Sequence, residues 1–473
     1  MRRSALFSCF SSILMLNGLL GIPVCAKSMD AKSTSPVPSG SGGAGADPAI
    51  TAALREISAA RIQATIEKLV SFHTRSTLSS GERDATDRGI VAAREWIRGE
   101  FERDSQACGG CLEVKTDSFV EPAGDRLPKP TEIVNVYAVL HGTGGEEANR
   151  LVLVTGHYDS RNSGNNDAVA AAPGANDDGS GTAVSLECAR VLSRYKFPAT
   201  IVFLTVAGEE QGLYGSGHFS KLVKEKLAKE QGWQLEAVLN NDIVGGDRSE
   251  GQRPDTVRVF SEGIPLSAGD DEVRRIRGLG GESDSPSRQV ARYIAETASA
   301  FGAELKPMLV FRLDRYLRGG DHSAFNEQGF AGVRFTEYRE NYNHQHQNVR
   351  TENGTEYGDL AKFVDYDYVA KVARLNAATL ASLASAPAPP GKVRLLAKEL
   401  QNDSTLTWEA VPRAAGYEVL WRDTTSPTWD HSERVGNETR ATLKMSKDNV
   451  IFAVRSLDAA GHRSLAVVPQ PEH

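Results

Sequence analysis

The chain reads as an α/β protein, with a mostly parallel or mixed central sheet flanked by helices, followed by a small C-terminal all-β sandwich. Three observations lead there. Runs of apolar β-formers alternate with segments of helical apolar spacing across residues 50–385. A proline-rich stretch, SAPAPPG, comes next. Beyond it stand short alternating runs divided by turn residues. Strands alternating with helices build sheets of parallel strands, because the helix returns the chain to the starting edge, whereas short strands with frequent turns build sandwiches.

At 473 residues the chain exceeds one ordinary domain. Its 40% hydrophobic and 24% charged content is that of a globular protein. The net charge of −7, with no long basic run or basic-aromatic stripe, argues against nucleic acid as a partner.

Residues 1–26 carry Arg2 and Arg3, an apolar stretch from Ala5 to Ile22 broken by serines and Asn17, and Val24-Cys25-Ala26. This is the pattern of a secretory signal peptide, and it falls short of the ~20 clean apolar residues of a membrane span. A secreted or periplasmic protein with no membrane span after signal removal is expected. Residues 27–49, rich in Ser, Gly, Pro and Ala, read as a flexible leader. Outside the signal remain Cys108, Cys111 and Cys188. Cys108-Gly-Gly-Cys111, with no second CxxC, reads as a short structural disulfide in an exported protein. Cys188 sits among apolar residues and reads as a buried free thiol.

Helical spacing covers residues 50–70 and 89–101, the latter placing Trp96 and Phe101 in the core. Strands are predicted at 112–120, 132–140, 151–155, 200–206, 236–239, 257–260, 308–311 and 332–335. Helices are predicted at 181–195, 218–231, with His218 at its start, 286–301 and 364–383. The α/β domain thus spans 50–385. A linker at 386–390 leads to the sandwich at 391–470, whose core would hold Trp408 and Tyr417.

In open α/β sheets, ligands collect beyond the carboxyl ends of the strands. His157 and Asp159 follow the strand LVLVTG, Glu209 and Glu210 follow IVFLTVAG, and Asp242 follows LEAVLNN. Asp177 and Asp178, in PGANDDGSG, open a helix, and His344 and His346 follow GVRF in NYNHQHQN. Each has an ordinary reading as a loop, cap or solvated residue. Together at successive strand ends they make a metal site, and His, Asp and Glu without thiolate suit zinc. The carboxylates suffice for two ions, which need a bridging carboxylate because bare dications repel, and Asp177 is placed to bridge. Where the strand ends, adjacent side chains diverge, so Glu210 can bind metal while Glu209 faces the attacking water as general base.

The blocks HYDS, PGANDDGSG, AGEEQGLYGS, NND and a late histidine resemble metallopeptidase family 28, the co-catalytic zinc aminopeptidases, over residues 50–384. The resemblance implies a zinc exopeptidase fold and two Zn²⁺, with cobalt or manganese as alternatives. By position, His157 and Asp242 would hold one ion and Glu210 with the late histidine the other, with Asp177 as the bridge. Glu209 matches the proton-shuttling base, and Asp159 the acid that orients His157. Family members also tend to have an unusual peptide link at the Asp-Asp pair. The family's HTxxD is absent here; His344 is favoured over His346 because Asn348 then stands where the aspartate would be. Asp321-His322, in RGGDHSAF, resembles a segment lining the substrate cleft. Arg312, Arg315 and Arg318 read as a solvated face, with a cleft-lining arginine for a substrate carboxylate as the alternative.

PPGKVRLL, LTWEAVPRAAGYEVLWR and NVIFAVRSLDAAGHRS resemble a fibronectin type III domain, with Val450 where a tyrosine is usual. Trp421 and Trp429 read as packing residues, with polysaccharide contact as the alternative. The resemblance to metallopeptidase family 28, with the signal-like residues 1–26, implies an exported aminopeptidase acting on peptide or protein N-termini. Its rivals are a single-zinc glutaminyl cyclase, a carboxypeptidase, and an inactive relative used for binding or adhesion.

Overall fold

The computed structural model describes residues 46–81, 87–398 and 400–472. The signal and most of the leader lie outside them. Eight strands form the central sheet: β1 (Leu112–Glu121), β2 (Thr131–Leu140), β3 (Arg150–His157), β4 (Thr200–Val206), β5 (Gln234–Asn241), β6 (Thr256–Ser261), β7 (Lys306–Val310) and β8 (Gly332–Glu337). Their order is β1-β2-β4-β3-β5-β8-β6-β7. The β4-β3, β3-β5, β5-β8 and β6-β7 pairs are parallel, and β1-β2, β2-β4 and β6-β8 are antiparallel. The sheet is mixed, with its four central strands running the same way.

Of these, β3 and β4 read as nearly continuous apolar runs because both faces are covered. On one face Val152, Val154, Ile201 and Phe203 pack into a core that includes the helices Ala59–Val70, Gly179–Leu192 and Tyr366–Ser385. On the other, Leu151, Leu153, Val202 and Leu204 pack with Phe219 and Phe325. Alternate residues of one strand thus enter two cores.

The helix expected over 50–70 is two, Pro48–Leu54 and Ala59–Val70. Ser58 starts the second by accepting the Arg61 N–H at 3.4 Å. The helix expected from His218 begins earlier, at Tyr214, so His218 lies inside it and stacks on Phe119 with ring centroids 4.0 Å apart. Trp96 is half-buried and Phe101 buried against the core, as expected. Cys108 and Cys111 form the expected disulfide, and Cys188 is a buried free thiol. No helix among the described residues is long and apolar enough to cross a membrane.

Beyond residue 385 lie a four-stranded and a three-stranded sheet. Trp408 and Tyr417 pack in their shared core with ring centroids 5.4 Å apart. This β module is fastened to the α/β domain. Asp284 pairs with Arg422 at 2.7 Å, and Arg150 donates to the Ala386 carbonyl at 2.8 Å. Trp429 lies beneath the guanidinium groups of Arg292 and Arg422, a packing contact across the junction.

Gly156 shows how closely the layers approach. A Cβ there would stand 2.4 Å from the Gly181 carbonyl carbon, in the helix that follows β3. Gly156→Ala is therefore expected to cost about 1–3 kcal/mol by overpacking. Scanning calorimetry should show a lower unfolding midpoint, and an unchanged midpoint would contradict this contact.

Candidate metal centre

Because β4, β3, β5 and β8 run parallel, their carboxyl ends share one edge of the sheet. His157 is the last residue of β3. Its ring Nδ1 faces the Asp159 carbonyl oxygen at 3.1 Å and the Asp159 carboxylate at 3.4 Å. Donating there, the ring turns the Nε2 lone pair outward, 3.2 Å from Asp177 Oδ1.

Asp177 and Asp178 have separate tasks. The Asp178 carboxylate accepts N–H bonds from Gly181 and His157, both at 2.9 Å, and so caps the helix Gly179–Leu192. Asp177, joined to it by a cis peptide, faces the cleft. The N–H groups of Asn176 and Asp177 donate to the buried Asp359 carboxylate at 2.8 and 2.7 Å. Burial pushes Asp359 up to about 7, while these two bonds pull the other way.

After β4, Gly208 turns through a left-handed conformation (φ 76°) that a side chain would disfavour. Glu209 and Glu210 then open a short helix, and their side chains diverge. Glu210 Oε1 lies 3.0 Å from His346 Nε2, while Oε2 accepts from Arg161 at 2.8 Å. The side chain of Glu209, 15% exposed against 4% for Glu210, faces the cleft 4.0 Å from His157 Nε2.

Asp242 follows β5, and its Oδ1 lies 3.9 Å from His157 Nε2 and 2.9 Å from the buried guanidinium of Arg334. Two groups result: His157, Glu209 and Asp242, and Asp177, Glu210 and His346. Within each, potential ligand atoms lie within 4.8 Å of one another.

His344, the favoured late histidine, does not join either group in the structure. Its ring is held by Asp247 and stacks on Phe363 at 3.6 Å, away from the carboxylates. His346, in a left-handed backbone (φ 53°), instead reaches Asp177 Oδ2 at 2.9 Å. Asn348, the supposed counterpart of the aspartate, bonds Ser163 at 2.9 Å. Asp321 and His322 are fully buried rather than cleft-lining, and the His322 ring bonds the Leu313 carbonyl at 2.9 Å. Burial pushes His322 down to about 4. Arg315 and Arg318, by contrast, line the cleft.

These residues fit a metal. His157 Nε2, Glu210 Oε1 and His346 Nε2 are buried and lie close to one another or to Asp177, yet none is aligned in a hydrogen bond, an expensive arrangement unless a cation sits among them. Burial, together with the charges of Asp242 and Glu210, pushes Glu209 well above the usual carboxylate range. Imidazole and carboxylate donors with no thiolate suit zinc.

Sequence reasoning passed over Arg161, Arg334, Asp314, Gln345 and Asp359. Gln345 donates to Asp177 Oδ2 at 3.1 Å, and Arg334 reaches Asp314 at 3.2 Å. Only Arg334 left a signal, a cation inside the apolar run GVRF, which requires a buried partner.

A family model described as "Peptidase family M28" matches residues 135–366. A "Probable zinc metalloprotease" of Pyrenophora teres f. teres is 44% identical over 90% of this chain and 87% of its own. A similarly named protein of Leptosphaeria maculans is 45% identical over 89% of this chain and 97% of its own. Among solved structures, LapB from Legionella pneumophila superposes with a TM-score of 0.50 at 19% identity, covering 72% of this chain and 75% of that one, a likeness of fold alone. With zinc-binding residue types gathered at the sheet edge and relatives this similar along nearly their whole length, the chain belongs to peptidase family M28, alongside these zinc metalloproteases.

Proposed function

We propose that the chain is an exported dizinc aminopeptidase that removes N-terminal residues from peptides. The observation that carries this reading is the position of Asp177. One of its oxygens lies 3.2 Å from His157 and the other 2.9 Å from His346, so a single carboxylate faces both ligand groups. His157 and Asp242 would hold one zinc, Glu210 and His346 the other, and Asp177 would bridge.

Bound zinc supplies Lewis acidity at the scissile carbonyl and lowers the pKa of water held there. The chain's residues do the rest. Asp159 fixes the His157 tautomer. Arg334 holds Asp242, and the Asp177 backbone is held by Asp359. Glu209 is the most exposed carboxylate of the two groups that is free of an arginine partner. It takes a proton from the attacking water and delivers it to the leaving amine. The acids along the cleft, Asp177, Glu209, Glu210 and Asp242, attract a free substrate α-amine, which restricts cleavage to the N-terminal residue.

Export follows from the signal-like residues 1–26. The C-terminal module is proposed to be fibronectin type III-like, a spacer or adhesion unit seated on the catalytic domain. Two full donor groups favour a dizinc peptidase over a single-zinc cyclase.

Hydrolysis of a panel of aminoacyl anilides is expected to stop with chelator and return with zinc. Glu209→Gln should lower kcat by about 10²–10⁴-fold. Atomic emission should still find two zinc ions per chain in that variant; metal lost together with activity would make Glu209 a ligand instead. For the late histidine, His346→Ala should drop the metal count from two to one while His344→Ala keeps both. The reverse result would restore His344.

A further inference from the structure

The cleft over the two groups has a volume of about 520 Å³, and four arginines line it: Arg126, Arg161, Arg315 and Arg318. Arg161 is engaged by Glu210. Arg315 and Arg318 belong to a wall with more cations than anions. Glu340 Oε2 accepts from Arg315 at 2.7 Å and from Arg318 at 3.0 Å, while its Oε1 accepts from Arg258 at 2.8 Å. Asp314 serves both Arg315 and Arg334, at 3.0 and 3.2 Å. Four guanidinium groups, Arg258, Arg315, Arg318 and Arg334, thus share the two carboxylates Glu340 and Asp314. Asp242, the further partner of Arg334, belongs to the first ligand group.

Arg126 lines the same cleft. Its guanidinium makes a long bond of 3.4 Å to the Glu210 carbonyl, and no ion pair to a carboxylate is seen for it among the described residues. Arg318 keeps 30% of its side chain exposed. Both line the space beside the ligand groups. A guanidinium fork suits a carboxylate, and in a partly water-excluded cleft such a pair is stronger than at an open surface.

We propose that this cleft selects substrates bearing a carboxylate close to the scissile bond, with Arg126 and Arg318 as the specificity-determining groups that receive it. The inference rests on the peptidase reading above and narrows its substrate class. The carboxylate could come from an acidic side chain at the peptide N-terminus or from the free C-terminus of a very short peptide. A neutral, blocked substrate would leave the arginine wall without its counter-charge.

Two substrate pairs separate these sources on the full-length, zinc-loaded enzyme: glutamyl against glutaminyl anilide, and Leu-Gly against Leu-Gly amide. The charged member of at least one pair is expected to show a kcat/KM about 10- to 100-fold higher, carried mainly in KM and reduced by added NaCl. The pair that responds identifies the source. Arg318→Gln and Arg126→Gln should each pull that ratio toward unity, and Arg126, being exposed, can be replaced without loss of the fold. Calorimetric binding of the same four compounds to Glu209→Gln gives a readout independent of turnover. Hydrolysis of all four with ratios within about threefold of unity, which is less than one charged hydrogen bond contributes, would overturn the carboxylate site and leave the peptidase standing. Absent hydrolysis with a persisting preference in binding would overturn the peptidase and keep the site.

Discussion

The structure turns on the electrostatic problem of holding Asp177, Glu209, Glu210 and Asp242 together in a largely buried space. Like charges at that spacing repel, and burial removes the water that would screen them. Two imidazoles answer part of this, His157 and His346, one on each oxygen of Asp177. A zinc peptidase has a further answer in its ions, for which these ring nitrogens and the Glu210 oxygen, close together but aligned in no hydrogen bond, are the structural counterpart.

Much of the surrounding architecture serves to keep those groups in place. Arg75, fully buried, donates to the Tyr158, Pro173 and Gly174 carbonyls at 2.7, 2.6 and 2.8 Å, and so ties the loop carrying Asp177 to the end of β3. Arg334 crosses from β8 to Asp242 beside β5, while Asp178 spans the His157 backbone and the helix start. Each contact joins elements distant along the chain. Positioning therefore depends on a sheet whose four central strands end along one edge, and the two cores stiffen that sheet from both sides.

The central strands β3 and β4 were legible because continuous apolar runs of β-formers mark strands buried on both faces, as in VLVTG and IVFLTV, whereas the edge strand β1 was read from β-formers interleaved with polar residues. The short helix Asp321–Glu327 and the hairpin of Arg350–Glu352 with Thr355–Tyr357 were not read. The hairpin had a signal in Asn353-Gly354, both with positive φ, the pair that two-residue turns favour. The site was legible wherever chemistry coincides with a strand end, as at His157, Glu209, Glu210 and Asp242. It became ambiguous in NYNHQHQN, where no strand imposes a register and two histidines stand two residues apart.

What the sequence alone determined was therefore the class of protein and its inventory: an α/β domain followed by a β module, with a set of imidazoles and carboxylates at successive strand ends. Periodicity and residue chemistry are local properties and survive in one dimension. Tertiary structure alone decided that His346 rather than His344 faces Asp177, since Asp247 and Phe363 compete for His344 from remote parts of the chain. It also decided that Arg315 and Arg318 stand over the cleft beside Glu340 rather than in open solvent. Which partner captures a side chain is set by distance in space, and residues far apart in the chain compete for that place only once the sheet has formed.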